Sequence, residues 1–172
     1  AAIQFREFGY GTPVLVGRDD VHDRLRDLGI DNPESFEVHN SRTSTLVPRM
    51  VDFLYERLQR RGYLRRDCER MINQDRNIFG ATMLQLGEAD VMITGVTRTY
   101  AQTMREVRKV SDPRVGETAF GMHVLVGATH TVFIADTTIN ERPTSDELAD
   151  IAEQAASVAR RMGHEPRVAF LS

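Results

Sequence analysis

Two kinds of apolar pattern alternate along the first part of the chain. Short continuous runs rich in Val, Ile and Leu are typical of buried strands, and apolar residues that recur every three to four positions are typical of helices. The continuous runs predict strands at 12–17, 35–40 and 89–95. The helical spacing predicts helices at 19–28, 48–61, 65–72 and 76–86, with the end of another helix at 3–8. Alternation of this kind predicts an α/β fold.

The rest of the chain predicts a hairpin and one long helix. Residues 118–127 and 131–140 flank a Gly-Ala-Thr-His turn, so we expect antiparallel strands added to the same sheet. The helix at 143–163 has strong signals, because Thr144 and Glu147 have the spacing of a capping box. The final run, 167–172, predicts a strand of a parallel sheet, which a crossover connection normally follows. We therefore expect a piece of a longer polypeptide.

Composition and charge argue against several classes of partner. The chain has 172 residues, of which 22 are Lys or Arg and 25 are Asp or Glu, so the net charge is -3. This balance gives no excess positive charge that would attract nucleic acid or an anionic membrane, so we expect neither as a partner. The single cysteine, Cys68, cannot form an internal disulfide, and no targeting segment is visible. We expect a cytoplasmic protein.

The segment between the predicted strand at 89–95 and the next helix has the features of an anion site. Thr97, Arg98 and Thr99 follow the strand, and Arg105 lies less than two helical turns further on. Thr99 and Gln102 have the T-x-x-Q spacing of a capping box, which predicts a helix that begins at Thr99 and directs free backbone N–H groups towards a ligand. The alternative is an ordinary capped surface helix whose arginines are solvated.

A second polar segment follows the predicted strand at 131–140. Asp136 and Thr137 come after apolar residues and precede the helix at 143–163, so they also lie at a strand end. Asp136 is a candidate to orient an arginine or to accept a proton. The alternative is that its carboxylate only caps a turn.

Other chemistries lack the residue patterns that they require. The five histidines are scattered without ligand spacing, so we predict no metal site in this segment. No histidine near Cys68 in the sequence supplies a base, which favours an inert thiol. Walker A, G-x-S-x-G and complete G-x-G-x-x-G motifs are absent from the sequence.

Several motifs, in order, resemble the phosphate acetyltransferase family. They are TPVLVGRDD, GEADVMITGVTRTY and FIADTTINERPTSDELADIAEQAASVARRMG, and the resemblance covers nearly the whole chain. The variant MINQDRNIFGATMLQLGEADVMITGVTR looks most like the phosphotransacetylase-like C-terminal half of bacterial hybrid NADP-dependent malic enzymes.

The resemblance implies a three-layer α/β/α fold like that of isocitrate and isopropylmalate dehydrogenases. Its sheet would be mostly parallel with an antiparallel hairpin, and the chain would contain only part of the domain. Residues 1–142 would form a first subdomain that is incomplete at its N-terminus. Residues 143–172 would form the helix between subdomains and the truncated start of the second.

The resemblance also suggests which residues bind a ligand and which catalytic groups are missing. Arg105 matches a phosphate-site arginine of the family, and the Ala-Asp-Thr-Thr segment matches a strand that reaches the cleft. Leu58 stands where catalytic members have an active-site arginine, and leucine cannot neutralise a phosphate. The family's Ser-Arg pair and catalytic aspartate follow the strand that matches the end of this chain.

These matches imply a regulatory module that binds acetyl-CoA, or a related acyl-CoA or acyl phosphate, and supports homo-oligomerisation. Its candidate binding residues are Thr97, Arg98, Thr99, Arg105, Asp136 and Thr137. The malic-enzyme domain of the same polypeptide would carry NADP and a divalent metal. Two alternatives stay open: an active phosphate acetyltransferase in which Arg57 or Arg60 replaces the missing arginine, and a purely structural oligomerisation domain.

Overall fold

The protein forms two compact units in a computed structural model that describes residues 1–95 and 97–171. The units are Ala1–Asp112 and Pro113–Ser172, and each has its own secondary structure. No helix in the described parts of the chain is long and apolar enough to cross a membrane.

In the described part of the first unit, a parallel strand pair is combined with six α-helices. Its strands are β1 (Val14–Gly17) and β2 (Glu37–Asn40). Its helices are α1 (Ala2–Glu7), α2 (Val21–Asp27), α3 (Val47–Leu58), α4 (Arg65–Gln74), α5 (Arg76–Gln85) and α6 (Tyr100–Val110). Short 3-10 turns cover Pro33–Ser35 and Gln59–Arg61. Each helix and strand predicted before residue 89 is confirmed, with small shifts at the ends.

The core of the first unit lies where α3, α4 and α5 meet. The apolar stripe that predicted α3 is buried, and Leu54 and Leu58 have no exposed surface. Ile72 of α4 and Phe79 of α5 are equally buried in the same cluster. Burial of whole aliphatic and aromatic side chains stabilises a fold by about 1.5–3 kcal/mol each, so these helices position the rest of the unit.

The prediction of a buried strand at 89–95 is wrong. Met92 packs against Gly80 of α5, and the Thr94 hydroxyl donates a hydrogen bond to the Asn77 side chain at 2.5 Å. The alternate residues Val91 and Ile93 are 75% and 87% exposed. Within the described residues β1 and β2 pair only with each other, so this apolar run pairs with no strand, and the face that carries Val91 and Ile93 is exposed.

The second unit contains the predicted hairpin and long helix. Strands β3 (Met122–Val126) and β4 (Thr131–Ala135) are antiparallel, and helix α7 spans Ser145–Arg161. The capping box is confirmed, because Glu147 Oε2 accepts the Thr144 N–H at 2.7 Å while the Thr144 hydroxyl oxygen accepts the Glu147 N–H at 3.3 Å.

Two strand predictions for this region are corrected by the structure. The hairpin forms its own two-stranded sheet among the described residues, so it does not extend the β1–β2 pair. Residues 167–171 form no strand, and Phe170 and Leu171 are 64% and 96% exposed. The last residue of that predicted strand, Ser172, lies outside the described residues.

The predicted α/β class is confirmed. Among residues 1–95 and 97–171, one strand pair is parallel and the other is antiparallel.

Candidate functional site

Helix α6 begins where the sequence predicted. Thr99 is its N-cap, and its hydroxyl oxygen accepts the Gln102 N–H at 3.3 Å. The Gln102 side chain does not complete the expected capping box but donates to Glu106 Oε1 at 3.2 Å. The start of α6 is therefore tied to the next turn of the same helix.

Arg98 lies beside two carboxylates. Its Nη1 is 2.5 Å from Asp75 Oδ2 and also contacts the Glu106 carboxylate. Asp75 is the N-cap of α5, where its Oδ1 accepts the N–H groups of Asn77 and Ile78 at 2.9 and 3.1 Å. The guanidinium thus joins the cap of α5 to the second turn of α6.

A buried polar network surrounds this ion pair. Glu106 and Asn77 are only 7% and 6% exposed, and Asn77 Nδ2 donates to Glu106 Oε2 at 2.6 Å. Burial by itself would raise the pKa of Asp75, but hydrogen bonds from Arg98 and from the Ile78 backbone lower it below its ordinary value. The hydrogen bond to Asp75 in turn raises the pKa of Arg98. Asp75 and Arg98 therefore both stay charged at neutral pH.

The surroundings of Arg98 limit what the predicted anion site can do. A phosphate that reaches Arg98 competes with two carboxylates for the same guanidinium. Thr97 and Thr99 are exposed immediately before α6, and Arg105 is exposed within it. Arg105 is consequently the more accessible cation of the predicted pair, and anion binding by these residues stays a prediction.

Asp136 accepts hydrogen bonds from several backbone groups of its own unit. Its donors are the N–H groups of Gly121 (2.8 Å), Thr138 (3.0 Å), Ile139 (3.2 Å) and Asn140 (2.7 Å), and the Asn140 side chain (2.7 Å). Burial alone would raise the pKa of Asp136, but these hydrogen bonds lower it to about 2. A carboxylate with that pKa is a poor proton acceptor at neutral pH.

Thr137 belongs to the same turn. Its N–H donates to the Gly121 carbonyl at 3.1 Å, and a Cβ on Gly121 would overlap the Thr138 hydroxyl. The close approach of this turn to Gly121 explains a glycine at that position. Asp136 and Thr137 hold the turn after β4 in place, and their predicted contact with an effector stays a prediction.

Leu58 is completely buried in the core of the first unit. The candidate replacement Arg57 is engaged elsewhere, because its Nη2 is 2.6 Å from Asp112 Oδ2 and its Nε donates to the Lys109 carbonyl at 2.9 Å. Arg60, the other candidate, is exposed on the 3-10 turn after α3.

A polar cavity that sequence reasoning missed lies at the carboxyl ends of β1 and β2. Its volume is about 370 Å³. It is lined by Arg18, Asp19, His22, Val38, His39, Asn40, Thr43, Ser44 and Thr45. Because Gly17 is the register partner of Asn40, both strands end at the same level. Ligands of open α/β sheets collect at this edge, so polar residues directly after two predicted strands were the available signal.

A hydroxyl, an imidazole and a carboxylate form a hydrogen-bonded chain beside this cavity. His39 Nδ1 is 3.1 Å from the Ser44 hydroxyl, and His39 Nε2 is 2.8 Å from Glu37 Oε1. The Ser44 hydroxyl oxygen also accepts the Leu46 N–H at 3.3 Å, immediately before α3. These hydrogen bonds therefore orient the imidazole and hold the loop that leads from β2 into α3.

The described residues contain no cluster of three or more His, Cys, Asp or Glu side chains that could hold a metal ion. Cys68 is buried in the core, and burial raises the pKa of its thiol. Its inaccessibility agrees with the interpretation of an inert thiol.

Comparisons with known proteins identify the family of the chain. The family described as phosphate acetyl/butaryl transferase matches residues 1–172. An NADP-dependent malic enzyme of Rhizobium meliloti is 45% identical over 174 aligned residues, which cover 100% of this chain and 23% of that protein. A phosphate acetyltransferase of Helicobacter pylori is 28% identical, with 94% of this chain and 31% of that protein covered.

A solved structure has the same fold. The EutD phosphotransacetylase from Staphylococcus aureus superimposes with a TM-score of 0.85 at 24% sequence identity, and the match covers 96% of this chain and 50% of that one. This likeness confirms the expected phosphotransacetylase fold. The chain spans about a quarter of the length of the malic enzymes that it matches and half of this solved chain.

Proposed function

The chain belongs to the phosphate acetyl/butaryl transferase family, and from its similarity to malic enzymes along the whole chain we infer that it is the phosphotransacetylase-like regulatory domain of a hybrid NADP-dependent malic enzyme. Another part of the polypeptide would carry NADP and a divalent metal and would oxidatively decarboxylate malate to pyruvate. The present domain would bind acetyl-CoA as an allosteric effector and support homo-oligomerisation in the cytoplasm.

The observation that carries this proposal is the complete burial of Leu58. The family resemblance places an active-site arginine of catalytic members at that position, and a fully buried leucine supplies no positive charge. Loss of one preorganised charge at a reacting group costs roughly 2.7–4 kcal/mol of transition-state stabilisation. Ligand recognition needs less, so binding of the family's acyl substrate can persist where turnover is lost.

Similarity along the whole chain supports the malic-enzyme context. The identity is 45% to the Rhizobium meliloti malic enzyme and 37% to the NADP-dependent malic enzyme of Escherichia coli, against 28% to the Helicobacter pylori phosphate acetyltransferase. An allosteric role requires that acetyl-CoA bind two states of the enzyme with different affinity.

The binding residues that we propose are those of the two predicted strand-end segments. Arg105 is the leading candidate, because it is exposed and matches a phosphate-site arginine of the family. Arg98 would contribute only after leaving Asp75 and Glu106. The same segments supply Thr97, Thr99, Asp136 and Thr137 as further candidates.

A second candidate function is phosphate acetyltransferase activity, which membership of the family favours. It would need a cation in place of the missing arginine. Arg57 is held by Asp112 and by the Lys109 carbonyl, which leaves the exposed Arg60 as the better candidate.

The test is a calorimetric titration of acetyl-CoA into the complete natural polypeptide that contains this chain. We expect saturable binding, a change in the rate of malate oxidation, and about 10-fold weaker binding in Arg105→Ala. Arg108→Ala is the matched control, because Arg108 is also exposed on α6. Absence of acetyl-CoA binding would refute the effector role, and acetyl phosphate formation at the rate of ordinary family members would favour the catalytic alternative.

A further inference from the structure

The cavity at the carboxyl ends of β1 and β2 is lined by a guanidinium and by hydroxyl groups that are separate from the residues of the two predicted segments. We propose that this cavity binds a phosphate group, with Arg18 as its cation and the hydroxyls of Thr43 and Thr45 as additional donors. This proposal deepens the proposed function. It rests on the acetyl-CoA effector role only if the bound phosphate belongs to acetyl-CoA.

Close packing fixes the β1 side of the cavity. A Cβ on Gly17 would overlap Val21 Cγ2, so α2 lies directly against the end of β1 and holds the connecting residues in a short loop. Arg18 and Asp19 lie in that loop. Their backbone therefore has little freedom to move away from the strand end.

Hydrogen bonds fix the β2 side. The Asn40 carbonyl accepts the N–H groups of Thr43 and Ser44 at 3.1 and 2.9 Å, which bends the chain around the cavity. The Ser41 hydroxyl donates to the Asn73 carbonyl at 3.0 Å, which attaches the loop to the end of α4. A preorganised wall lowers the entropy cost of binding a small ligand.

The charged groups around the cavity differ in how many of their contacts are already made within the protein, and therefore in how readily they can contact a phosphate. Asn40 Nδ2 donates to Asp19 Oδ1 at 2.9 Å, so one oxygen of this acidic lining residue is hydrogen-bonded to a neutral amide and not paired with a cation. His39 is held by Glu37, and His22 lies 3.4 Å from Glu34. Within residues 1–95 and 97–171, Arg18 forms no ion pair with a carboxylate.

This donor set suits a phosphate. A guanidinium and hydroxyl groups donate to the several oxygens that a phosphate presents, and charge-assisted hydrogen bonds of this kind are the strong ones. The volume of about 370 Å³ is at the small end of the range for ligand sites, so the cavity would hold a phosphate and part of its carrier. The phosphate could belong to acetyl-CoA or could be free inorganic phosphate.

Titrations of the complete polypeptide with three probes distinguish these sources. The probes are acetyl-CoA, acetyl-CoA lacking its 3′-phosphate, and inorganic phosphate. The test variant is Arg18→Gln, and the matched control is Arg24→Gln, which removes an exposed α2 arginine that pairs with Asp20 outside the cavity lining. Thr43→Val removes one hydroxyl without a change of charge and is the second test variant.

We expect Arg18→Gln to weaken binding of at least one probe about 10-fold and Thr43→Val to weaken it about threefold, with Arg24→Gln unchanged. Selective weakening of acetyl-CoA over its dephospho form supports the proposal and assigns the 3′-phosphate. Weakening of inorganic phosphate alone supports it and assigns a free phosphate. If the wild type binds acetyl-CoA and Arg18→Gln binds every probe like Arg24→Gln, the cavity proposal fails while the effector role stands. If the wild type binds none of the probes, both fail.

Discussion

Arg98 Nη1 lies 2.5 Å from Asp75 Oδ2, and this contact joins the cap of α5 to the residue before the cap of α6. The same guanidinium contacts Glu106, whose other oxygen accepts a hydrogen bond from Asn77. An arginine that local sequence suggested as a ligand for an anion is thus also the cation that two carboxylates of its own fold require.

Replacement of Arg98 by Met should lower the free energy of unfolding by about 2–4 kcal/mol. The reason is that Asp75 and Glu106, which is only 7% exposed, would lose the cation that they share, and removal of one partner of a buried ion pair is costly. Urea denaturation followed by circular dichroism measures the change. Arg105→Met is the control, since Arg105 is exposed, and it should shift stability by no more than about 0.5 kcal/mol. Equal stability of the two variants would show that the network contributes little.

Asp136 should make stability depend on acid pH. Its pKa is lowered to about 2 in the folded protein, so its contribution is present above the unfolded pKa of about 3.9 and is lost as the pH falls towards about 2. After allowance for solvent screening, that contribution is about 1–2 kcal/mol.

The variant Asp136→Asn should therefore be less stable than the wild type at pH 7 and should show a flatter stability profile between pH 4 and pH 2. Thermal unfolding across this range measures both effects. Glu153→Gln removes an exposed carboxylate of α7 and should leave the profile unchanged. A wild-type slope that persists in Asp136→Asn would assign the acid sensitivity to other groups.

Leu58→Ala should destabilise the first unit by about 2–5 kcal/mol, because it removes a fully buried side chain and leaves a cavity in the core. Leu28, which is 71% exposed after α2, gives the control Leu28→Ala with a loss below about 1 kcal/mol. Denaturant titration compares the two. A small loss in Leu58→Ala would mean that this position is not a core position, and the argument against catalysis would weaken with it.

Local periodicity was enough to predict most of the fold. The apolar stripe at 48–61 became α3, at Val47–Leu58, because the residues that define its helical face are also those that pack against α4 and α5. The capping pair Thr144 and Glu147 located the start of α7, since both of its hydrogen bonds lie within four residues.

The failures occurred where distant partners decide the outcome. An apolar run such as 89–95 indicates a preference for burial, but it does not state whether a neighbouring strand exists to pair with it. The ion pair of Arg98 with Asp75 spans 23 residues of sequence, so no local spacing could reveal it. The cavity between the ends of β1 and β2 needed the strand register as well, because its two walls come from separate segments.

The contact between Gly17 and Val21 gives a test of how closely α2 must approach β1. Gly17→Ala should lower the free energy of unfolding by about 1–3 kcal/mol, because the new methyl group would overlap Val21 Cγ2. The double variant Gly17→Ala/Val21→Ala removes the overlapping atom and should be no less stable than Val21→Ala alone. A double-mutant cycle would report this result as a favourable interaction energy between the two substitutions. Additive losses would mean that the cost of the methyl group at Gly17 does not come from its contact with Val21, and the close packing of α2 against β1 would then not be what fixes this wall of the cavity.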